Sequence, residues 1–183
     1  MLLLDLDRIA VPSVQSDLHL EDLEQRHLPA LYELNRKRSF ERADRRFASA
    51  VADGYRGYVA FRDGELVGYY WWVDAGVEQL HPDLAQLGLG IELGDGDVYG
   101  TDFFLLEDHR GEGRAVDFLY KLESDLRRRG YRRLWGYVVS TNRPARWLYS
   151  SRGYRSMWTV LQRTVLLRRR TEIQQPETTE ASA

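Results

Sequence analysis

No cysteine occurs in the 183 residues, which excludes disulfides, thiolate metal sites and a catalytic thiol outright. Lysine is nearly absent as well: it stands only at positions 37 and 121, so almost all the basic charge is arginine. The four histidines (His19, His27, His81, His109) are scattered, without the paired spacing of a catalytic zinc site, and no metal is expected. Long apolar runs are missing too. Met1 to Leu4 and Gly68 to Val73 fall far short of the ~20 residues that a membrane-spanning helix needs. Asp5, Asp7 and Arg8 directly follow the apolar start, which is not the order of a secretory leader. A cytoplasmic protein without a membrane partner is therefore expected.

What is present is the composition of a folded domain. Apolar residues make up 43% and charged residues 30%, which separates the chain from disordered and membrane proteins. The length suits one domain, placed at residues 1–170. The segment 171–183, rich in Thr, Glu and Gln, has too few apolar residues to fold and reads as a disordered tail. Net charge is −2, but it is unevenly spread: residues 1–109 hold 10 basic against 21 acidic side chains, and residues 110–170 hold 16 against 4. Such a basic half fits nucleic acid, a phosphorylated ligand or solvated helix faces.

Apolar spacing gives the order of elements. Leu2 to Val11 reads as a strand. Leu20, Leu23, His27, Leu31 and Leu34 recur three and four apart after Asp17, which predicts a helix bent near Pro29. A second helix is predicted through Phe40, Ala43, Phe47 and Val51, ending at Asp53-Gly54. Tyr55 to Arg62 and Glu65 to Asp74 flank Asp63-Gly64, a pair favoured in two-residue hairpins. Residues 76–96 form a long Gly/Pro/Asp-rich connection with a short apolar middle at Leu84 to Leu87. A strand over Val98 to Leu106, a helix over Gly111 to Arg129, a strand over Arg133 to Ser140, a helix over Asn142 to Arg152 and one or two strands within Tyr154 to Leu167 complete the chain. This order predicts an α/β (α+β) fold: a mixed sheet of six to seven strands, an antiparallel meander in its first part, and about four flanking helices.

The densest chemical signal is Leu105-Leu106-Glu107-Asp108-His109-Arg110-Gly111-Glu112-Gly113-Arg114-Ala115. A strand runs into a glycine-punctuated turn that opens a helix, where free amides and close backbone approach make an anion site. No Gly-Lys-Ser/Thr follows, so this is not a Walker loop, and the glycine spacing is not that of a dinucleotide fold. The pattern Arg110-x-x-Gly113-x-Ala115 resembles motif A of the GNAT superfamily. A second segment, Asn142-Arg143-Pro144-Ala145-Arg146-Trp147-Leu148-Tyr149-Ser150-Ser151-Arg152-Gly153-Tyr154, resembles its motif B, one helix and one strand later. A reduced form of that second pattern arises by chance in roughly one chain per thousand. The resemblance extends over Gly54 to Leu167 in element order and is specific over residues 98–154. Glu107, where a proline is common in the family, is the main departure.

The resemblance implies a GNAT fold and an N-acyltransferase that uses acetyl-CoA, or another acyl-CoA, as co-substrate. The pantetheine would lie where the strands ending at Leu106 and near Ser140 splay apart. The pyrophosphate would rest on the amides of Gly111, Glu112, Gly113, Arg114 and Ala115, with Arg110 and Arg114 adding charge and Asn142 and Arg146 contributing from the second motif. Backbone near Leu105 or Leu106 would bond the thioester carbonyl and stabilise the tetrahedral intermediate. Tyr149, seven residues after Asn142 and on the same helix face, would act as general acid toward the departing thiolate. Asn142 has a competing role as helix cap. Asp102, eight residues before Arg110, is the candidate general base; His109 and Glu107 are weaker ones.

The run Tyr69-Tyr70-Trp71-Trp72 alternates across a strand, so one pair packs inward while the other, Tyr70 and Trp72, is a candidate acceptor-pocket lining. Core packing is the competing account. The acceptor is expected to be an amine of a small molecule or peptide, transferred to directly in a ternary complex. Two other readings stand beside this: a non-catalytic acyl-CoA-binding module, and a transferase with a longer acyl donor or an RNA-linked acceptor. Nucleic acid is otherwise disfavoured as a partner. Tyr154 to Leu167 is long enough to support a homodimer, as the terminal strands often do in this family.

Overall fold

The computed structural model describes residues 1–11, 16–37, 47, 50–77, 92–165 and 168–174. A seven-stranded mixed sheet runs in the order β2-β3-β4-β5-β6-β1-β7. Its strands are β1 (Leu2–Asp5), β2 (His19–Asp22), β3 (Arg56–Arg62), β4 (Glu65–Asp74), β5 (Asp97–Leu105), β6 (Arg133–Gly136) and β7 (Arg155–Ser156). All neighbours pair antiparallel except β5 and β6, which are parallel. Helix α1 (Leu28–Lys37) lies on one face, with helical residues at 47 and 50–52; α2 (Arg114–Arg128) and α3 (Arg143–Ser151) lie on the other. A hairpin of β8 (Thr159–Val165) and β9 (Arg168–Gln174) forms a second, two-stranded sheet.

Local chemistry accounts for the boundaries. Asp63 and Gly64 both take positive φ, 51° and 81°, so their turn matches the twist of β3 and β4. Helix α2 places Phe118, Leu119, Leu122 and Leu126 on one buried stripe, has Arg127 and Arg128 in its last turn, and stops where Gly130 adopts φ 92°. Asn142 caps α3 by accepting from the Ala145 amide at 3.2 Å, and Pro144 sits in its first turn.

Three sequence expectations are corrected. Residues 19–22 are not helical: they form an edge strand against β3, and helix begins only at Leu28, after Glu24 and His27 cap each other. A three-to-four spacing of leucines is satisfied equally by a strand followed by a helical turn, and pairing with β3 decides between them. Strand β6 ends at Gly136 rather than Ser140. Thr171 to Gln174, expected in a tail, instead pair with Gln162 to Thr159; backbone hydrogen bonds supply an order that composition does not reveal, and residues 175–183 lie outside the described residues. The expected helix from Phe40 falls mostly outside the described residues, as do residues 78–91 of the long connection.

Part of the uneven charge is paired within the fold. Arg114 bonds Asp17 at 3.0 Å, Arg129 bonds Asp22 at 2.7 Å, Arg133 holds Asp97 at 2.9 Å and Arg127 lies 3.4 Å from Asp7. Each pair joins the basic second part to the acidic first part. Lys121 adds bonds to the carbonyls of Leu18 (2.6 Å) and Ser16 (3.2 Å), fixing residues 16–18 on α2.

Candidate active site

The sheet opens at β5 and β6, the one parallel pair among the described residues. Strands β5 and β6 are joined from Asp97↔Arg133 to Tyr99↔Trp135. Beyond that point β5 continues to Leu105 while β6 ends at Gly136, leaving a gap between residues 100–105 and the segment 137–140. Along β5 the amide directions alternate. Leu106 donates to Val67 of β4 at 2.9 Å, so the Leu105 amide, one residue earlier, points away from β4 and toward the gap. Of the two residues expected to serve the thioester carbonyl, Leu106 is thus already committed and Leu105 is the one oriented to do so. Arg110 Nε donates to the Leu105 carbonyl at 2.8 Å on that same side.

At the foot of the gap, the turn before α2 presents backbone donors. Glu112 (φ 56°) and Gly113 (φ 75°) are both left-handed, which turns successive amides the same way. Arg114 and Asp117 donate to Gly111 and Gly113, whereas no backbone carbonyl among the described residues accepts from Gly111, Glu112, Gly113, Ala115 or Val116. Those amides stand at the positive end of a 15-residue helix. This is a fit for a pyrophosphate.

Asp102 and Tyr149 face each other from opposite sides of the sheet, because of one extra residue. Trp71 pairs with Asp102 and Trp72 with Gly100, so Thr101 is a bulge in β5. Directly opposed residues share a face. Gly100 therefore lies on the α2/α3 face with Trp72, and the bulge reverses parity so that Asp102 lies on the α1 face with Trp71. Tyr69 Oη donates to Asp102 Oδ2 at 3.1 Å, and Asn35 Oδ1 on α1 is a longer second acceptor at 3.4 Å. Tyr149 packs on the other face, its ring 4.9 Å from that of Tyr154. Burial first, then the charges of Glu123 and Asp102, hold the Tyr149 phenol well above its ordinary range, so it remains protonated.

The model of the acetyltransferase (GNAT) family matches residues 18–154. The chain belongs to the GNAT acetyltransferase family. Solved structures agree with this in fold. The ribosomal-protein-S18-alanine N-acetyltransferase from Escherichia coli is similar at 19% identity and TM-score 0.58, over 80% of this chain and 81% of that one. An aminoglycoside N-acetyltransferase, AAC(6')-Iy, in complex with CoA is similar at 15% identity and TM-score 0.58, over 86% and 98%. A putative acetyltransferase from Salmonella typhimurium with its cofactor acetyl-CoA is similar at 16% identity and TM-score 0.52, over 92% and 98%. No curated protein matches the sequence significantly.

Within this GNAT domain, several predicted site residues take other duties. Arg114 is buried, its guanidinium spent on Asp17 and Glu112, so it ties residue 17 to α2 and offers no free charge to a phosphate. The sequence could not show this, since Asp17 lies 97 residues away. Asn142 uses its side-chain oxygen as the α3 cap. Arg146 is exposed and reaches the Ser140 carbonyl at 3.3 Å, beside the segment that borders the gap. Glu107 and His109 form a single 3-10 turn between β5 and the amide cluster.

Tyr70 and Trp72 are 3% and 0% exposed and belong to the core beneath α2 and α3, which replaces the acceptor-pocket reading with packing. Tyr70 comes closest to the gap: a Cβ on Gly100 would stand 1.8 Å from its hydroxyl, so only glycine admits this tyrosine. Sequence reasoning missed Glu123 on α2 and Arg152 at the end of α3, a buried ion pair on the Tyr149 side. Burial pushes the Glu123 carboxyl up to about 7, against the opposing pull of Arg152. A readable sign existed: Glu123 falls on the apolar stripe between Leu119 and Leu126.

Proposed function

We propose that this GNAT protein is an acyl-CoA-dependent N-acyltransferase that passes acetyl from acetyl-CoA directly to an amine of a small molecule or peptide. The observation that carries this is the placement of Asp102 and Tyr149 on opposite faces of a sheet that opens between them. An amine approaching from the α1 face meets a carboxylate, while the departing sulfur meets a phenol. Asp102, oriented by Tyr69, takes the ammonium proton. The free amine attacks the thioester carbon, and the Leu105 amide bonds the oxygen as negative charge builds there. The C–S bond then breaks as Tyr149 gives its proton to the sulfur, and the second proton shed by the nitrogen restores the phenol, yielding the amide and free CoA. Because the phenol is held above the ~8.5 of an ordinary thiol, its transfer to the thiolate is uphill by itself and is driven by the proton that the nitrogen returns to it. Its first service is therefore a hydrogen bond to the developing thiolate.

Donor binding draws on the amides of residues 111–113 and 115, with Arg110 and Arg146 at the rim. No helix among the described residues is long and apolar enough to cross a membrane. The acceptor classes named for the similar structures, an alanine of a ribosomal protein and an aminoglycoside, define the first panel to try. Incubation with acetyl-CoA and that panel, extended with small aliphatic and aromatic amines, should yield thiol release matched by acetyl-amine in mass spectra. Tight acetyl-CoA binding without any acetylated product would instead favour a non-catalytic module.

A further inference from the structure

The Glu123–Arg152 pair is unused by the transfer chemistry, yet it is among the costliest features of the fold. Glu123 is 0% and Arg152 3% exposed. Arg152 Nε donates to Glu123 Oε2 at 3.0 Å, a terminal nitrogen bonds the same oxygen, and the other terminal nitrogen donates to the Ala10 carbonyl at 2.7 Å. A pair this deeply buried seldom adds stability over apolar side chains of similar size. Its position is more telling. Arg152 closes the C-terminal end of α3, its amide bonded to the carbonyls of Leu148 and Tyr149, three residues after the proposed acid. The Tyr154 hydroxyl faces the same carboxylate, and each shifts the other's ionisation.

We propose that Glu123, anchored by Arg152, is a positioning residue for Tyr149: the ion pair locks the last turn of α3, which carries Tyr149, against α2 and keeps a carboxylate on the Tyr149 side. The proposal rests on Tyr149 being the acid. Four elements bring ionisable groups toward that tyrosine: Tyr70 from β4, Asp102 from β5, Glu123 from α2, and Arg152 with Tyr154 from the end of α3 onward. Among the charges, that of Glu123 acts most strongly in keeping the phenol protonated.

The test places 3-fluorotyrosine at position 149 of the full chain and follows its fluorine resonance through an alkaline titration. In Glu123→Leu/Arg152→Met, which replaces the pair by apolar groups and should fold, the phenol should ionise about one pH unit or more below the parent. Coenzyme A affinity, measured by calorimetry, should stay within about twofold, since the pair is buried behind the acid rather than at the amide cluster. If the double variant does not fold, Glu123→Gln is read in the same way. An unshifted ionisation midpoint in a folded variant overturns the proposal. Wild-type turnover in Tyr149→Phe removes the acid reading and the proposal together; an impaired Tyr149→Phe beside an unshifted midpoint removes the proposal alone.

Discussion

Tyr149→Phe should lower turnover about 100- to 1,000-fold while leaving acetyl-CoA affinity within about twofold, the loss usual for removing a positioned general acid. The substitution deletes one hydroxyl and keeps the ring, so the edge-on contact with Tyr154 at 4.9 Å is preserved. Tyr149 is only half-buried. The effect should therefore appear in kcat, with the melting temperature nearly unchanged. The wild-type pH profile provides a second check. Burial together with Glu123 and Asp102 keeps the phenol protonated beyond its ordinary ~10, so Tyr149 should impose no alkaline decline below about pH 10. Steady-state rates from pH 6 to 10 on an accepted amine decide both points.

Asp102→Asn should reduce kcat/KM about 100-fold or more near neutral pH, and the loss should shrink as pH rises and the acceptor amine loses its proton unaided. Asparagine has nearly the same shape and can still accept from Tyr69, so the 3.1 Å contact and the α1 linkage through Asn35 survive. Only proton acceptance is removed. A uniform loss at every pH would indicate that Asp102 only supports the sheet. The two substitutions act on different protons from different faces, so their contrast also tests the parity argument built on the Thr101 bulge.

The parts of this picture readable from sequence are those fixed by local chemistry. Asp63-Gly64 announced its hairpin because two adjacent positive φ angles need such residues, and Gly130 announced a helix end. The amide cluster was legible because Gly113 interrupts an otherwise amphipathic segment at the position where backbone must approach an anion. What escaped depends on residues far apart in sequence. Arg114 looked available until Asp17 was seen beside it. The place of β1 between β6 and β7 could not be inferred, since any strand with that pattern fits any gap of suitable length. Residues 19–22 followed a helical spacing, yet the open edge of β3 captured them. Tyr70 and Trp72 show the same limit: alternation told which side chains share a face, while the helices packed on that face determined that it is core. The bulge at Thr101 left no mark at all in composition, although it decides which side Asp102 serves.

The most direct test of the account is the structure of the protein with coenzyme A bound. The chain should hold the pyrophosphate on the amides of residues 111–113 and 115 and thread the pantetheine between residues 100–105 of β5 and the segment 137–140. The sulfur should stand within about 3.5 Å of the Tyr149 hydroxyl, with Asp102 across the gap on the α1 face. Coenzyme A seated elsewhere, or threaded with its sulfur remote from Tyr149, would contradict the assignment of acid and base.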